Sequence, residues 1–251
     1  MRQVYGLHAV RMLLRKSAHD VHVMRVQRGE LHKGLKDLVA RAEEQHVAVE
    51  QVPRAALDEL TGGACHQGVV ALCRKAAAPA LKDWRTLYEK DERNALFLVL
   101  DGVEDPHNLG ACLRVADAAG ARAVIRPVHR GVGLTPAAVK VASGAAESVP
   151  LIEVNNLART LSEMKEAGIW LVGADAAAAK SIYEMDLTGP LALVLGGEGE
   201  GMRRLTRESC DHLAHLPMRG SVESLNVAVS AGICLYEALR QRGVSGKPQF
   251  A

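Results

Sequence analysis

The run Ala95-Leu-Phe-Leu-Val-Leu100 is apolar on both of its alternating faces. A strand of that kind cannot keep one face in water. It belongs in a parallel sheet covered by helices on both sides. Leu191-Ala-Leu-Val-Leu195 has the same character. Around these two runs the chain alternates helical and extended periodicity. Further strands are expected at 123–126, 149–154, 169–173 and 213–216, with helices at 109–119, 136–142, 157–167 and around 203–208. A last helix runs from Leu225 to Tyr236. Alternation with short connections predicts an α/β fold built on a parallel sheet.

The first part of the chain is built differently. Helical periodicity marks 7–16 and 31–45, and Pro53 starts a short helix to Leu60. Strands are expected at 21–26, 47–52 and 67–73, which makes a small α/β unit. An Ala/Pro run and a charged segment then break the pattern, with Trp84 and Leu87 placed to dock a short helix. The expected division is therefore a domain over 1–75, a linker over 76–92 and a second domain over 93–251.

Charge separates the two parts. Residues 1–75 carry 12 Lys/Arg against 8 Asp/Glu, a net of +4, and 6 of the 10 histidines. Residues 93–251 carry 16 against 17, a net of −1, so the first domain is the expected polyanion-facing one. Its His8, His19, His32 and His66 read as exposed, and none pairs at a metal-binding spacing. Only 3% of residues are aromatic, which excludes base stacking on aromatic platforms as the main mode of nucleic-acid binding. The start, Met1-Arg-Gln-Val-Tyr-Gly, has no signal-peptide core, and no apolar run reaches membrane-span length. A cytoplasmic protein with no membrane association is expected. Five scattered cysteines with no CxxC fit reduced thiols and no metal, and Cys112, Cys210 and Cys234 read as buried small residues.

Three constellations in the second domain carry chemistry. The first, Asp105-Pro-His-Asn-Leu-Gly-Ala-Cys-Leu-Arg114, follows a strand; Asn108 can cap the next helix, and Gly110 permits close backbone approach. Arg114 could be merely paired with Asp117 at i,i+3. The second is Leu195-Gly-Gly-Glu-Gly-Glu-Gly-Met202, whose four glycines require a sharp turn or a ligand against the backbone. Glu198 and Glu200 argue against a phosphate cradle and suit a cationic or hydroxylated ligand. The order GGEGEG is not GxGxxG, and no GxxxxGK[ST] occurs. The third is Leu216-Pro-Met-Arg-Gly-Ser-Val-Glu-Ser-Leu-Asn-Val-Ala-Val-Ser230, where Ser221 and Ser224 are candidate helix caps. Asn226 and Ser230 are the polar groups of an otherwise apolar helix, and Ser230 reads as a satisfied buried hydroxyl. Loops after the carboxyl ends of parallel strands gather at one rim. Asn108, Arg114, Glu198, Ser224 and Asn226 are therefore expected around one crevice.

Taken together, NLGACLR (108–114), LVLGGEGEGM (193–202) and LPMRGSVESLNVAVS (216–230) resemble the three motifs of the SpoU group of SPOUT RNA 2′-O-ribose methyltransferases, in the family's order. The first domain, with YGLHAV near its start and HQGVVA near its end, resembles the ribosomal-protein-like substrate domain of these enzymes. The resemblance implies a deep trefoil knot in the SPOUT domain and a homodimer. It implies S-adenosylmethionine as methyl donor and a guanosine in the peptidyl-transferase loop of 23S rRNA as target, on free rRNA or an assembly particle. Carried over by motif, Gly196, Leu216 and Leu225 hold the adenosine part, and Leu195, Gly197, Gly199 and Met218 line the pocket. Arg114 matches the catalytic arginine, with Asn108, Glu198, Ser224 and Asn226 positioning it, the ribose and the donor. A guanidinium keeps its proton, so Arg114 is read as a phosphate clamp and alkoxide stabiliser rather than a base. A relative acting on tRNA or another rRNA site, a base methyltransferase and an inactive ribosome-binding paralogue remain alternatives to this reading.

Overall fold

The computed structural model describes residues 2–73 and 83–243, so part of the expected linker, 76–82, lies outside the described residues. The chain forms two compact units, Met1–Leu81 and Lys82–Ala251.

The first unit holds strands β1 (Arg2–Tyr5), β2 (Val21–Gln27), β3 (Val49–Val52) and β4 (Val69–Cys73) in the order β1-β4-β2-β3. β4 is antiparallel to both neighbours, and β2 and β3 are parallel. The period of two in β4 explains the layering. Val69, Ala71 and Cys73 face a core closed by α1 (Leu7–Ser17) and α2 (Lys33–Glu44), while Val70 and Leu72 meet Leu57 of α3 (Arg54–Thr61). β1 is an edge strand too short to show a period, and the sequence reading omits it. His66 is buried rather than exposed. Its Nε2 bonds Asp58 at 2.9 Å, and its Nδ1 accepts from the Gly68 backbone N–H at 3.0 Å. This fixes the turn where Gln67 reaches across to accept from Leu7 N–H at the start of α1.

The second unit opens with α4 (Trp84–Tyr88) and is built on β5 (Leu96–Asp101), β6 (Ala123–Pro127), β7 (Leu151–Val154), β8 (Trp170–Ala174), β9 (Lys180–Ser181), β10 (Leu191–Gly196) and β11 (His212–His215). The strand order is β7-β6-β5-β10-β8-β11-β9, every pairing parallel. The two all-apolar runs lie side by side at the centre, Leu96 opposite Leu191 and Asp101 opposite Gly196. Leu98, Leu100, Leu193 and Leu195 face α5 (Pro106–Ala118), α6 (Pro136–Ala142), α7 (Ala145–Ser148) and α10 (Val227–Gln241). Phe97, Val99, Ala192 and Val194 face Trp84 and α8 (Leu157–Glu166). Both faces are thus dry, as a parallel sheet requires. Between β10 and β11 sits α9 (Arg204–Ser209).

Two helix starts differ from the sequence reading. α5 begins with Pro106 at its first turn and is capped by Asp105, whose side chain accepts from His107 N–H, so Asn108 is free for another bond. α10 is capped by Asn226, which accepts from Ala228 N–H, and neither Ser221 nor Ser224 caps it. The short α7 and β9 were not anticipated, because four and two residues give no measurable periodicity. At Gly110 a Cβ would come within 2.5 Å of the Ala138 carbonyl, so α5 and α6 meet backbone to backbone.

Candidate active site

The loops after β5, β10 and β11 open on the same rim, because these strands are parallel and close in the sheet order. There, three side chains from three elements form one hydrogen-bonded group. Asn108 Nδ2 donates to Glu198 Oε1 at 2.7 Å, and Asn226 Nδ2 donates to Asn108 Oδ1 at 2.8 Å. Asn226 Nδ2 also reaches Glu198 Oε1 at 3.2 Å, while its own Oδ1 caps α10. One carboxylate oxygen thereby fixes both amides, and the two helices that carry them are tied to the glycine loop.

That loop is a tight hairpin. Gly197 and Gly201 form an isolated antiparallel bridge. A Cβ on Gly196 would lie 2.0 Å from the Gly201 carbonyl carbon, and one on Gly197 would lie 2.1 Å from the Gly102 oxygen. Only glycine fits either position. Asp101 locks the base of the hairpin: its carbonyl accepts from Gly197 N–H at 2.8 Å, and its buried carboxylate accepts from Arg203 N–H, Nε and Nη2. α9 has no cap of its own, and this remote carboxylate occupies the free N–H of Arg203 at its start.

The hairpin separates two cavities. One, of about 430 Å³, is lined by Leu195, Gly196, Gly197, Gly199, Leu216, Met218 and Leu225, together with Ser224 and Ser230. All seven residues assigned by motif to the donor pocket thus share one wall system. Apolar side chains form much of it, and Asp175, Glu198, Glu200 and Glu223 supply four carboxylates. The other cavity, of about 510 Å³, lies on the far side of Glu198, where Asp101, Glu104, Asn108, Arg130 and Arg203 line it. Gly197, Glu198, Glu200, Gly201 and Val227 border both.

Arg114 is placed elsewhere. It lies six residues beyond Asn108 on α5, about 9 Å along the helix axis, and borders neither cavity. It is exposed, and among the described residues it has no hydrogen-bond or ion-pair partner, so the Asp117 pairing is not formed. Ser230 also departs from expectation: instead of being a buried, satisfied hydroxyl it faces the first cavity.

The sequence pattern of the SpoU rRNA Methylase family matches residues 95–236, and the pattern described as RNA 2′-O ribose methyltransferase substrate binding matches residues 3–79. The chain belongs to the SpoU rRNA methylase family. It is 49% identical over 248 residues, 99% of each chain, to 23S rRNA (guanosine-2′-O-)-methyltransferase RlmB of Pseudomonas syringae pv. tomato. To the protein of the same description from Escherichia coli K12 it is 50% identical over 239 residues, 95% of this chain and 98% of the other. Among solved structures, an RNA 2′-O ribose methyltransferase superposes with a TM-score of 0.80 at 31% identity, covering 96% of this chain and 89% of that one. The SpoU methyltransferase AviRb from Streptomyces viridochromogenes, solved with AdoMet, superposes with a TM-score of 0.78 at 28% identity, over 97% and 91% of the two chains.

For a SpoU methylase, the chemistry of the first cavity suits S-adenosylmethionine. A volume of about 430 Å³ falls in the range of small-molecule sites. Its carboxylates match a sulfonium, an ammonium group and ribose hydroxyls, and its leucines match an adenine face. Among the described residues no group of His, Cys, Asp or Glu side chains is arranged to hold a metal ion. No helix among them is long and apolar enough to cross a membrane. Sequence reasoning missed Asp101, Arg203 and Asp175. Asp101 alone left a signal, as a single carboxylate closing an otherwise apolar strand.

Proposed function

We propose that the chain transfers the methyl group of S-adenosylmethionine to the 2′-oxygen of a guanosine in 23S rRNA, in the peptidyl-transferase loop. The observation that carries this is the paired cavity, a pocket suited to the donor and a second cleft that share Glu198, the carboxylate bonded to the Asn108 and Asn226 amides. The near full-length likeness to guanosine-2′-O-methyltransferases supports the base and the RNA. Residues 93–251 serve as the methyltransferase domain, with the knot of their family, and residues 1–75 as the RNA-binding domain, consistent with its positive charge. The setting is the cytoplasm, on free rRNA or an assembly particle.

Bound in the first cavity, the donor supplies an electrophilic methyl group and a neutral thioether leaving group. Gly196, Leu216 and Leu225 would hold its adenosine part, with Leu195, Gly197, Gly199 and Met218 lining the pocket around it. Glu198, fixed by two amides, stays aligned at the boundary of the two cavities. Asn108 and Asn226 keep the ribose in line with the methyl group, and Ser224 adds a hydroxyl contact. Alignment of this sort is a large part of what such a transfer requires.

Arg114 completes the site from a second copy of the chain. Its exposure, its lack of a partner among the described residues and the apolar surface of neighbouring α10 support this. There Val229 and Tyr236 are 51% and 52% exposed, seven residues apart on one face. In the homodimer Arg114 clamps the phosphate beside the target ribose and stabilises the oxygen as it loses its proton to that phosphate or to water. Arg114→Ala is expected to abolish methyl transfer while donor affinity, measured by calorimetry, stays within about three-fold, under 1 kcal/mol. Near-normal transfer by that variant would remove Arg114 from the mechanism. RNA from a strain lacking the gene should lack one 2′-O-methylguanosine in 23S rRNA, read by nucleoside analysis and mapping.

A further inference from the structure

Next to the second cavity lies a third, of about 380 Å³, and its chemistry is of opposite sign. His129, Arg130, Arg203 and Arg204 line it, with Asn155 and Asn156, and no carboxylate does. The second cavity, by contrast, has Asp101, Glu104, Asp105, Glu198 and Glu200 in its lining. Arg130 and Arg203 border both, so the change of sign falls between two adjoining hollows.

The basic loop is held in place before any ligand arrives. Arg126, buried at the end of β6, donates from Nη2 to the carbonyls of Val128 and Gly131 at 3.1 and 2.9 Å. Its Nη1 is anchored on Glu153 at 2.5 Å. Pinned from below, the loop carries Arg130 in the left-handed region, at φ 62°, with its side chain exposed. Among the described residues Arg130 has no hydrogen-bond or ion-pair partner. Arg204 is paired, among the described residues, only with Glu208, through side chains 78% and 55% exposed, a contact that water and salt weaken. Arg203 is committed to Asp101 and contributes its flank.

We infer that this carboxylate-free cleft seats a phosphodiester of the RNA strand that adjoins the methylated nucleotide, with Arg130 and Arg204 as its charged contacts. The inference rests on the proposed methyl transfer to RNA. A nucleotide in the acidic cavity has a phosphate on each side, and the planar fork of an arginine matches two phosphate oxygens. Phosphate contacts of this sort set the register of the strand, leaving base and ribose to the neighbouring cavity. The device separates two electrostatic demands that one pocket cannot meet, since carboxylates suit the sulfonium donor and repel the RNA backbone.

The test uses the full chain and an unmethylated 23S rRNA transcript. Filter binding is followed against KCl for wild type, Arg130→Gly, Arg204→Ala and Arg130→Lys. Glycine at position 130 removes the charge and also relieves the left-handed backbone, so a folding defect is not introduced. Each loss of charge is expected to weaken binding about five- to eight-fold near 0.1 M salt and to flatten the log–log salt slope by about 0.7–0.9. Arg130→Lys retains most of the affinity, and donor affinity by calorimetry does not change in any variant. Wild-type affinity and slope in both Arg130→Gly and Arg204→Ala would overturn the inference. Failure of the wild-type chain to methylate 23S rRNA would instead overturn the functional reading, and the salt slopes would still decide whether the cleft binds phosphate.

Discussion

At the scale of single residues, Asp101 organises more than its position suggests. It ends the central strand, receives Gly197 N–H on its carbonyl and holds Arg203 by backbone and side chain. A buried carboxylate with a half-solvated partner loses most when it loses its charge. Asp101→Asn is expected to lower stability by about 2–3 kcal/mol, at or below the low end for a broken buried pair. Donor binding should weaken about tenfold as the hairpin loosens. Urea unfolding and calorimetry measure the two effects, and an unchanged donor affinity would show that the hairpin holds its shape without the pair. Asn108, Glu198 and Asn226 were legible in the sequence as polar residues in apolar or glycine-rich surroundings. Their mutual bonds were not, because they are separated by up to 118 residues and meet only across the sheet rim.

At the scale of elements, α10 connects the site to the core at both ends. Asn226 starts it inside the hydrogen-bonded group with Asn108 and Glu198, and Glu237, Gln241 and Arg242 fasten its end. Gln241 accepts from Leu187 N–H and donates to the Met185 carbonyl, while Arg242 donates to the carbonyls of Leu187, Asn94 and Gly189. Arg240 grips Glu237 through two bonds of 2.8 Å and holds its carboxyl below the usual glutamate range. A depressed folded value means stability present above the ordinary range near pH ~4.3 and lost as pH falls through the lower folded value. Urea midpoints of the wild type should therefore fall more between about pH 5 and 3 than those of Glu237→Gln. Parallel curves would mean that this pair contributes nothing to acid sensitivity. The sequence placed the helix itself by its apolar character. The end anchors are side-chain-to-backbone bonds between segments more than fifty residues apart, and periodicity carries no trace of them.

At the scale of the whole molecule, Arg114 borders neither of the two cavities that share Glu198. If the partner supplies Arg114, two inactive chains can repair one another. Arg114→Ala mixed with Glu198→Ala should regain methyl transfer, because one site of the mixed dimer combines an intact donor cavity with an intact Arg114. Each variant alone should be inactive. An inactive mixture, with subunit exchange verified by differently tagged chains, would place Arg114 and Glu198 in the same subunit's site.

The parallel sheet is legible in the residues alone, since Leu96 to Leu100 and Leu191 to Leu195 have no face that tolerates water. The four glycines of the 196–201 run likewise announce a turn or a close backbone approach, and the structure shows no room for a Cβ at Gly196 or Gly197. Both follow from short-range facts, the chemistry of neighbouring residues and the volume of one atom. The family motifs extended that legibility to one cavity, which all seven residues assigned to the proposed donor pocket line. Three-dimensional packing set which amide bonds which carboxylate, that Asp105 rather than Asn108 caps α5, and that an acidic cavity adjoins a basic one. Those outcomes depend on the strand order, which brings β5 and β10 together and pairs in register residues as far apart in the chain as Leu96 and Leu191. Hydrogen-bond pairing and electrostatic contrast act over a few ångströms in space and take no account of separation along the chain.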